Sequence, residues 1–135
     1  MRCLIDTNIL LFSLAQSDDL DENISAILND FENIIYVSAV SIFEALHLYE
    51  NKRIKTKFKS ADDFLRAIEI DFNPRILHTK TEHFNTYARL PVVEKHNDPI
   101  DRIIISQAIT EKLTLISSDR KFQNYKDLDF IYNRR

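Results

Sequence analysis

Four acidic residues in this sequence fall where a chain of alternating strands and helices would carry them to a common edge: Asp6, Glu44, Asp101 and Asp119. Four ionised carboxylates within a few ångströms repel one another and push some pKa values upward, unless a divalent cation compensates them. Oxygen donors with no cysteine and no evident histidine set suit a hard ion, Mg2+ or Mn2+. Such a site does phosphoryl chemistry. One or two ions lower the pKa of a water, align it with a phosphodiester and neutralise the leaving oxygen, two ions standing about 3.5 to 4 Å apart.

The densest stretch is His96-Asn97-Asp98-Pro99-Ile100-Asp101-Arg102, followed by an apolar run from Ile103. Asp98 before Pro99 reads as a helix N-cap with proline at the first helical position, where its missing N–H is no loss. Capping explains Asp98 wholly. Asp101 lies further in, with Ile104, Ile105 and Ala108 as its helical neighbours, so it sits on or beside the stripe that faces the core. A lone acid there would be a complement to the helix dipole; the other three carboxylates argue for a ligand. Arg102 points away from the apolar stripe, as a phosphate contact or a surface ion pair. His78 and His83 have no carboxylate at metal-ligand spacing and read as structural or exposed.

The elements that must position these residues follow from periodicity. Cys3-Leu4-Ile5 reads as a buried strand, Asp6-Thr7-Asn8 as a polar turn, and Ile9 to about Gln16 as a helix. Asp18, Asp19, Asp21 and Glu22 open a second helix as dipole complements, with Ile24, Ile27, Leu28 and Phe31 on its apolar side. A strand from Ile34 to Val37 leads through the cap Ser38 into a helix to Tyr49. That helix carries Glu44, which taken alone is a solvated surface side chain. Lys52, Arg53, Lys55, Lys57 and Lys59 follow with no acid among them, either a solvated face or the one place where a polyanion could dock.

Ser60 caps a helix with Phe64, Leu65, Ile68 and, at its margin, Ile70 inward; Asn73-Pro74 stops it. Arg75 to His78 is a short strand, Thr81 to Leu90 a helix, and the helix capped by Asp98 runs to about Lys112. Leu113 to Ser117 is a clear strand that delivers Ser118-Asp119-Arg120-Lys121 into a turn, and Leu128 to Tyr132 is the last. Strands separated by helices predict an α/β fold on a mainly parallel sheet. The carboxyl ends of its strands share one edge, where such folds bind ligands.

Composition narrows the function classes. The 135 residues, 44% of them hydrophobic, suit one domain over residues 1–135. The total absence of glycine excludes the P-loop and the dinucleotide fingerprint. A formal net charge of −3 rules out binding nucleic acid by bulk charge, so any polyanion must meet a local basic patch. Cys3 is the only cysteine, which excludes internal disulfides and thiolate clusters and reads as a buried thiol. No run of about 18 apolar residues exists and no basic segment precedes an apolar one, so the expectation is a cytoplasmic protein without membrane contact.

Leu4-Ile5-Asp6-Thr7-Asn8-Ile9-Leu10, Ser41-x-x-Glu44, His96-x-Asp98-Pro99-x-Asp101-Arg102 and Leu113-Thr114-Leu115-Ile116-Ser117-Ser118-Asp119 resemble, in order and spacing, the motifs of PIN-domain ribonucleases, specifically the VapC-type toxins of bacterial toxin–antitoxin pairs. The resemblance spans nearly the whole chain. It implies a three-layer α/β/α PIN-like fold with a central sheet of four to five strands, and a Mg2+- or Mn2+-dependent endoribonuclease. It also implies a homodimer, and a cognate antitoxin that covers the active-site groove and through which alone operator DNA is contacted. By position, Asp6, Glu44, Asp101 and Asp119 match the acidic quartet that would hold metal and catalyse, while Asn8 and Ser117 match supporting polar positions, as does Asp98. Lys52, Arg53, Lys55, Arg102, Arg120 and Lys121 are the candidates for contact with RNA.

This chain departs from the family pattern in three places. Ile100 stands where Phe is frequent, a harmless apolar exchange. Ser118 stands where a basic residue commonly precedes the last Asp, which removes a phosphate contact, although Arg120 and Lys121 are close by. Lys112 occupies a helix end that suits glycine. Among rivals, a haloacid-dehalogenase-like phosphatase would want an acid at position 8, where Asn8 stands, and a receiver domain would want an acidic pair at the first strand end. A DNA-directed flap-type nuclease shares the same acid logic. So does, from another class, a catalytically weak binding partner in an antitoxin–operator complex.

Overall fold

The computed structural model describes residues 1–93 and 95–134. Five strands, β1 (Arg2–Ile5), β2 (Ile34–Ser38), β3 (Arg75–Leu77), β4 (Thr114–Ser117) and β5 (Phe130–Tyr132), form one sheet in the order β3-β2-β1-β4-β5, every neighbouring pair parallel. The helices are α1 (Thr7–Leu14), α2 (Glu22–Asn29), α3 (Ala39–Glu50), α4 (Ala61–Arg66), α5 (Thr81–Arg89) and α6 (Pro99–Glu111). A π-helical turn, Ala67–Phe72, continues α4, and a 3-10 turn, Arg120–Asn124, joins β4 to β5.

Side chains that alternate along the strands divide the core into two layers. Cys3, Ile5, Val37 and Ile116 face α1 to α4, packing with Ile9, Leu10, Ile24, Ile42, Phe64 and Ile68. Leu4, Leu77 and Leu115 face the opposite way, against Ile103, Ile104, Ile105, Phe122 and Tyr125. This is a three-layer α/β/α fold with a sheet buried on both faces. Each fully buried Leu or Ile contributes roughly 1.5–3 kcal/mol. Cys3 is fully buried, as its apolar neighbours led one to expect. Among the described residues no helix is long and apolar enough to cross a membrane.

Several local expectations are corrected. Asp6-Thr7-Asn8 is not a turn: α1 begins at Thr7, because Asp6 leaves the strand extended and its carboxylate accepts from the free Ile9 N–H. The second helix opens at Glu22, capped by Asp21, while Ser17 and Asp19 bond each other ahead of it; Phe31 lies beyond its end and is wholly exposed. Ile70 is exposed as well, because the wider π turn rotates it off the face that buries Ile68. His83 is buried and structural. Its Nδ1 accepts from Lys80 N–H at 3.0 Å and its Nε2 lies 2.8 Å from Glu111, tying α5 to α6.

Helix α6 ends with Lys112 in the left-handed region at φ 56°. The Leu113 N–H reaches Ala108 O at 2.9 Å and the Lys112 N–H reaches Ile109 O at 3.3 Å, the paired bonds of a glycine-type helix stop. A Cβ is strained there, so Lys112→Gly is expected to raise stability by about 1 kcal/mol. Urea denaturation checks this, the midpoint rising with an unchanged slope; a lower midpoint contradicts it.

Candidate metal centre

Strand order decides where a site can form. The chain leaves β1 toward β2 on one side and leaves β4 toward β5 on the other, so the crevice between the carboxyl ends of β1 and β4 is the point where the winding reverses. Asp6 follows directly on β1, and Asp119 follows β4 by two residues. Asp101 stands in the first turn of α6, and Glu44 half-buried in the middle of α3.

Asp6 is 6% exposed. Its Oδ1 accepts from Ile9 N–H at 3.0 Å. Burial pushes its pKa up to about 7; the Ser117 hydroxyl and the Ile9 N–H favour the charged form, while the charges of Asp101 and Glu44 raise it further. Asp101 is likewise raised, to about 6, by burial first and then by Asp98 and Asp119, against the stabilising bond and charge of His96. Asp6 thus feels Asp101 and Glu44, and Asp101 feels Asp119, which makes the four acids one electrostatically linked set.

The tightest grouping holds a residue to which the sequence assigned no role. Ligand atoms of His96, Asp101 and Asp119 lie within 4.8 Å of one another, the single such group among the described residues; Asp6 and Glu44 stand outside it. His96 Nε2 is 3.2 Å from Asp101 Oδ2 and its Nδ1 is 2.8 Å from the Tyr125 hydroxyl. The only signal in the sequence was its place five residues before Asp101, which became meaningful once Tyr125 was known to face it.

Three of the acids double as caps. Asp6 caps α1, Asp98 caps α6 through a 2.9 Å bond from Ile100 N–H, and Asp119 caps the 3-10 turn through a 2.9 Å bond from Lys121 N–H. Capping is thus the observed role of Asp98, as the sequence indicated. Ser117 is buried, and its hydroxyl accepts from Asp119 N–H at 3.0 Å. Asn8 is exposed in the first turn of α1. The hydroxyls of Thr7 and Ser41, one next to Asp6 and the other a turn before Glu44, are buried with no hydrogen-bond partner among the described residues.

Ser118 bonds the buried Asn133, whose side chain also accepts from Asp21 N–H at 2.7 Å and donates to Asp19 O at 2.8 Å. Asn133 therefore fastens the segment leading to Asp119 to the start of α2, a task invisible in sequence. Ile100 packs against the α6-side core, a tolerated apolar exchange.

Among the basic candidates, Arg102 has partners within the protein: its guanidinium donates to Pro91 O at 3.0 Å, Leu90 O at 3.4 Å and the Tyr125 hydroxyl at 3.3 Å, lies over the Tyr87 ring, and forms no ion pair among the described residues. The carbonyls of Pro91 and Leu90, in the loop before α6, hold it there. Arg120 is exposed against Tyr132, donating to its hydroxyl at 3.1 Å, and Lys121 is exposed beside Asp119. Lys52, Arg53 and Lys55 are exposed in the loop after α3, where Tyr49, Ile54 and Phe58 line a cavity of about 430 Å3 with Lys52 and Lys55.

The donor set fits a hard divalent cation. Two carboxylates converge with one imidazole beside them, burial penalises the charge of Asp101, and no cysteine or second histidine joins the group among the described residues. Asp101 and Asp119 are the carboxylates of this group that would hold the ion.

The model of the PIN domain family matches residues 3–128. Among solved structures, the chain is similar to one in a VapBC2 complex from Rickettsia felis bound to a promoter DNA fragment, at 20% identity and TM-score 0.73, covering 98% of this chain and 99% of that one. It is similar to one in VapBC-1 from nontypeable Haemophilus influenzae at 17% identity and TM-score 0.70, covering 100% of both. A third, in FitAcB from Neisseria gonorrhoeae, shows 22% identity and TM-score 0.66, with 98% and 97% covered. No curated protein sequence matches the chain.

The raised carboxyls set a pH dependence. A carboxyl whose folded pKa exceeds its unfolded value near 3.9 stabilises the fold below that value and loses the contribution as pH rises through the folded pKa. For Asp6 and Asp101 the window runs from about 4 to about 7. Metal-free protein should therefore melt at lower temperature as pH rises through this window. Asp6→Asn should flatten the profile and melt higher than wild type above it. Thermal melts in EDTA across the range check this; a wild-type profile that rises through the window contradicts it.

Proposed function

The chain belongs to the PIN-domain family, and from that premise we propose that it is a metal-dependent endoribonuclease of the VapC type, the toxin of a toxin–antitoxin pair acting in the cytoplasm. The observation that carries this reading is the convergence of Asp101 and Asp119 at the switch point of the sheet, with Asp6 buried against the charges of Asp101 and Glu44. Asp6, Glu44, Asp101 and Asp119 hold Mg2+ or Mn2+. When bound, the cation supplies an activated water and compensates the charge that develops on the leaving oxygen.

The chain's own residues do the rest. Burial keeps water from screening the carboxylates, and the Ile9 and Lys121 N–H groups fix the orientation of Asp6 and Asp119. Ser117 links the two acids, its hydroxyl meeting Asp6 and the Asp119 backbone. Asn8, exposed in the first turn of α1 two residues after Asp6, is a supporting polar residue beside the cation. Arg120 and Lys121, exposed just past Asp119, supply local positive charge beside the acids in a chain of net charge −3.

The partners of this reading are RNA as substrate, a second copy in a homodimer, and an antitoxin through which operator DNA is reached. Support for the antitoxin comes from the VapBC complexes among the similar structures, that from Rickettsia felis being bound to promoter DNA.

Purified wild type is expected to cut structured RNA with Mg2+ or Mn2+ and to fall silent in EDTA. Asp6→Asn and Asp101→Asn should each lower the rate by two orders of magnitude or so, roughly the effect of removing one charge interaction in the transition state, while both remain folded. Cleavage of single-stranded DNA but not RNA overturns the substrate class, and RNA cleavage indifferent to both substitutions overturns the site.

The exposed loop after α3 provides a second test. Reversing Lys52, Arg53 and Lys55 to Glu should weaken RNA binding and flatten its salt dependence, by about 0.7 in log–log slope for each phosphate no longer neutralised, with the cleavage step at saturating RNA unchanged. Affinity and slope that stay put would make the run a solvated face.

A further inference from the structure

Asp101 terminates a chain of hydrogen bonds whose direction is fixed at its far end. Asp101 Oδ2 lies 3.2 Å from His96 Nε2, His96 Nδ1 lies 2.8 Å from the Tyr125 hydroxyl, and that hydroxyl lies 3.3 Å from Arg102 Nη1. A guanidinium donates and never accepts. Arg102 is itself pinned by the carbonyls of Pro91 and Leu90 and by the Tyr87 ring, 5.3 Å from its guanidinium carbon to the centroid. The Tyr125 oxygen therefore accepts from Arg102. Its own proton has one acceptor among the described residues, the imidazole Nδ1.

With Nδ1 accepting, the proton of a neutral imidazole sits on Nε2 and points at the Asp101 carboxylate. The opposite tautomer strands a buried hydroxyl proton and sets the Nε2 lone pair against those of the carboxylate, which is unfavourable at both ends. Tyr125 is 2% and His96 3% exposed, so solvent offers no alternative partner to either. Phe122 packs on the imidazole at 5.2 Å between centroids, and Tyr125 meets it edge-on at 5.4 Å, which hold the ring's plane.

We propose that Arg102, Tyr125 and His96 form a one-way hydrogen-bond relay that positions Asp101 for the cation. The proposal rests on the reading of Asp101 as a metal-holding carboxylate. None of the three meets substrate; they are positioning residues. The relay engages Oδ2 from one direction and so presents the remaining lone pairs of the carboxylate in a fixed orientation, as donors behind a metal ligand commonly do. It also accounts for the bonds of Arg102 to Pro91 O and Leu90 O, which fix the guanidinium at the start of the relay.

The test begins on the metal-free chain of 135 residues. Long-range 15N correlation spectra of the histidine rings at about pH 8, where an ordinary imidazole is neutral, are expected to show His96 protonated at Nε2. Tyr125→Phe removes one oxygen and keeps the ring, so the packing around His96 is retained. It should convert His96 to a mixture of tautomers and weaken Mn2+ binding, followed by calorimetry, by about tenfold. His96→Gln, which keeps an N–H donor, should hold most of the Mn2+ affinity that His96→Leu loses. Protonation at Nδ1 in the wild type overturns the proposal, as does a Tyr125→Phe protein with unchanged Mn2+ affinity or a Gln variant as weak as the Leu variant. RNA cleavage measured alongside separates the two ideas: a wild type that shows the tautomer and binds Mn2+ but cuts no RNA overturns the proposed activity and upholds the relay.

Discussion

Like charges brought together inside a protein must be held there, and the holding device in this structure is the helix N-terminus. Asp6, Asp98 and Asp119 each accept a backbone N–H at the start of a helical segment, while Asp101 lies within the first turn of α6. The unpaired N–H groups of a first turn favour negative charge and cap donors fix its orientation. The same hydrogen bonds that start the helices thus fix the orientation of these three carboxylates. Burial works in the opposite direction, raising Asp6 and Asp101 well above ordinary acids. A divalent cation is the natural counterweight to that conflict.

The sheet gives this arrangement its location. Because β1 is central and β4 pairs with it directly, Ile5 and Ile116 stand in register and the two chain segments that follow them carry Asp6 and Asp119 out at the same edge. The Asp6 N–H bonds Ile116 O at 3.3 Å, so the first acid is tied to the strand that leads to the last. Helices packed on both faces then shield the crevice: α3 brings Glu44 from one layer and α6 brings Asp101 from the other. A site assembled from both layers depends on the fold being complete. Asn133, near the end of the chain, adds to that dependence by fastening Ser118 to the start of α2.

Short-range features were legible in the sequence. The caps Asp98, Ser38 and Ser60, the burial of Cys3 and the unfavourable end of α6 at Lys112 all follow from residue types within a turn of one another. Where local expectation failed, a neighbouring group had changed the rule. Asp6 capped a helix that made a turn unnecessary, and a π turn shifted Ile70 away from a face on which regular spacing would have put it. The helical position of Arg102 said only that it avoided the apolar stripe and nothing about the loop carbonyls that hold it.

By itself, then, the sequence determined the alternation of strands and helices, the near-continuous apolar runs that suit strands buried on two faces, and the placement of Asp6, Asp101 and Asp119 at a strand end or helix start. These depend on dihedral preference, period and hydrogen bonds across a few residues. Only the tertiary structure decided the strand order β3-β2-β1-β4-β5, and with it which acids share a crevice. It alone joined His96 to Tyr125, 29 residues apart, and Arg102 to Tyr125, 23 apart. Contacts of that separation carry no periodic signal, since they arise when packed layers bring distant side chains to bonding distance and the lack of water makes each find a partner.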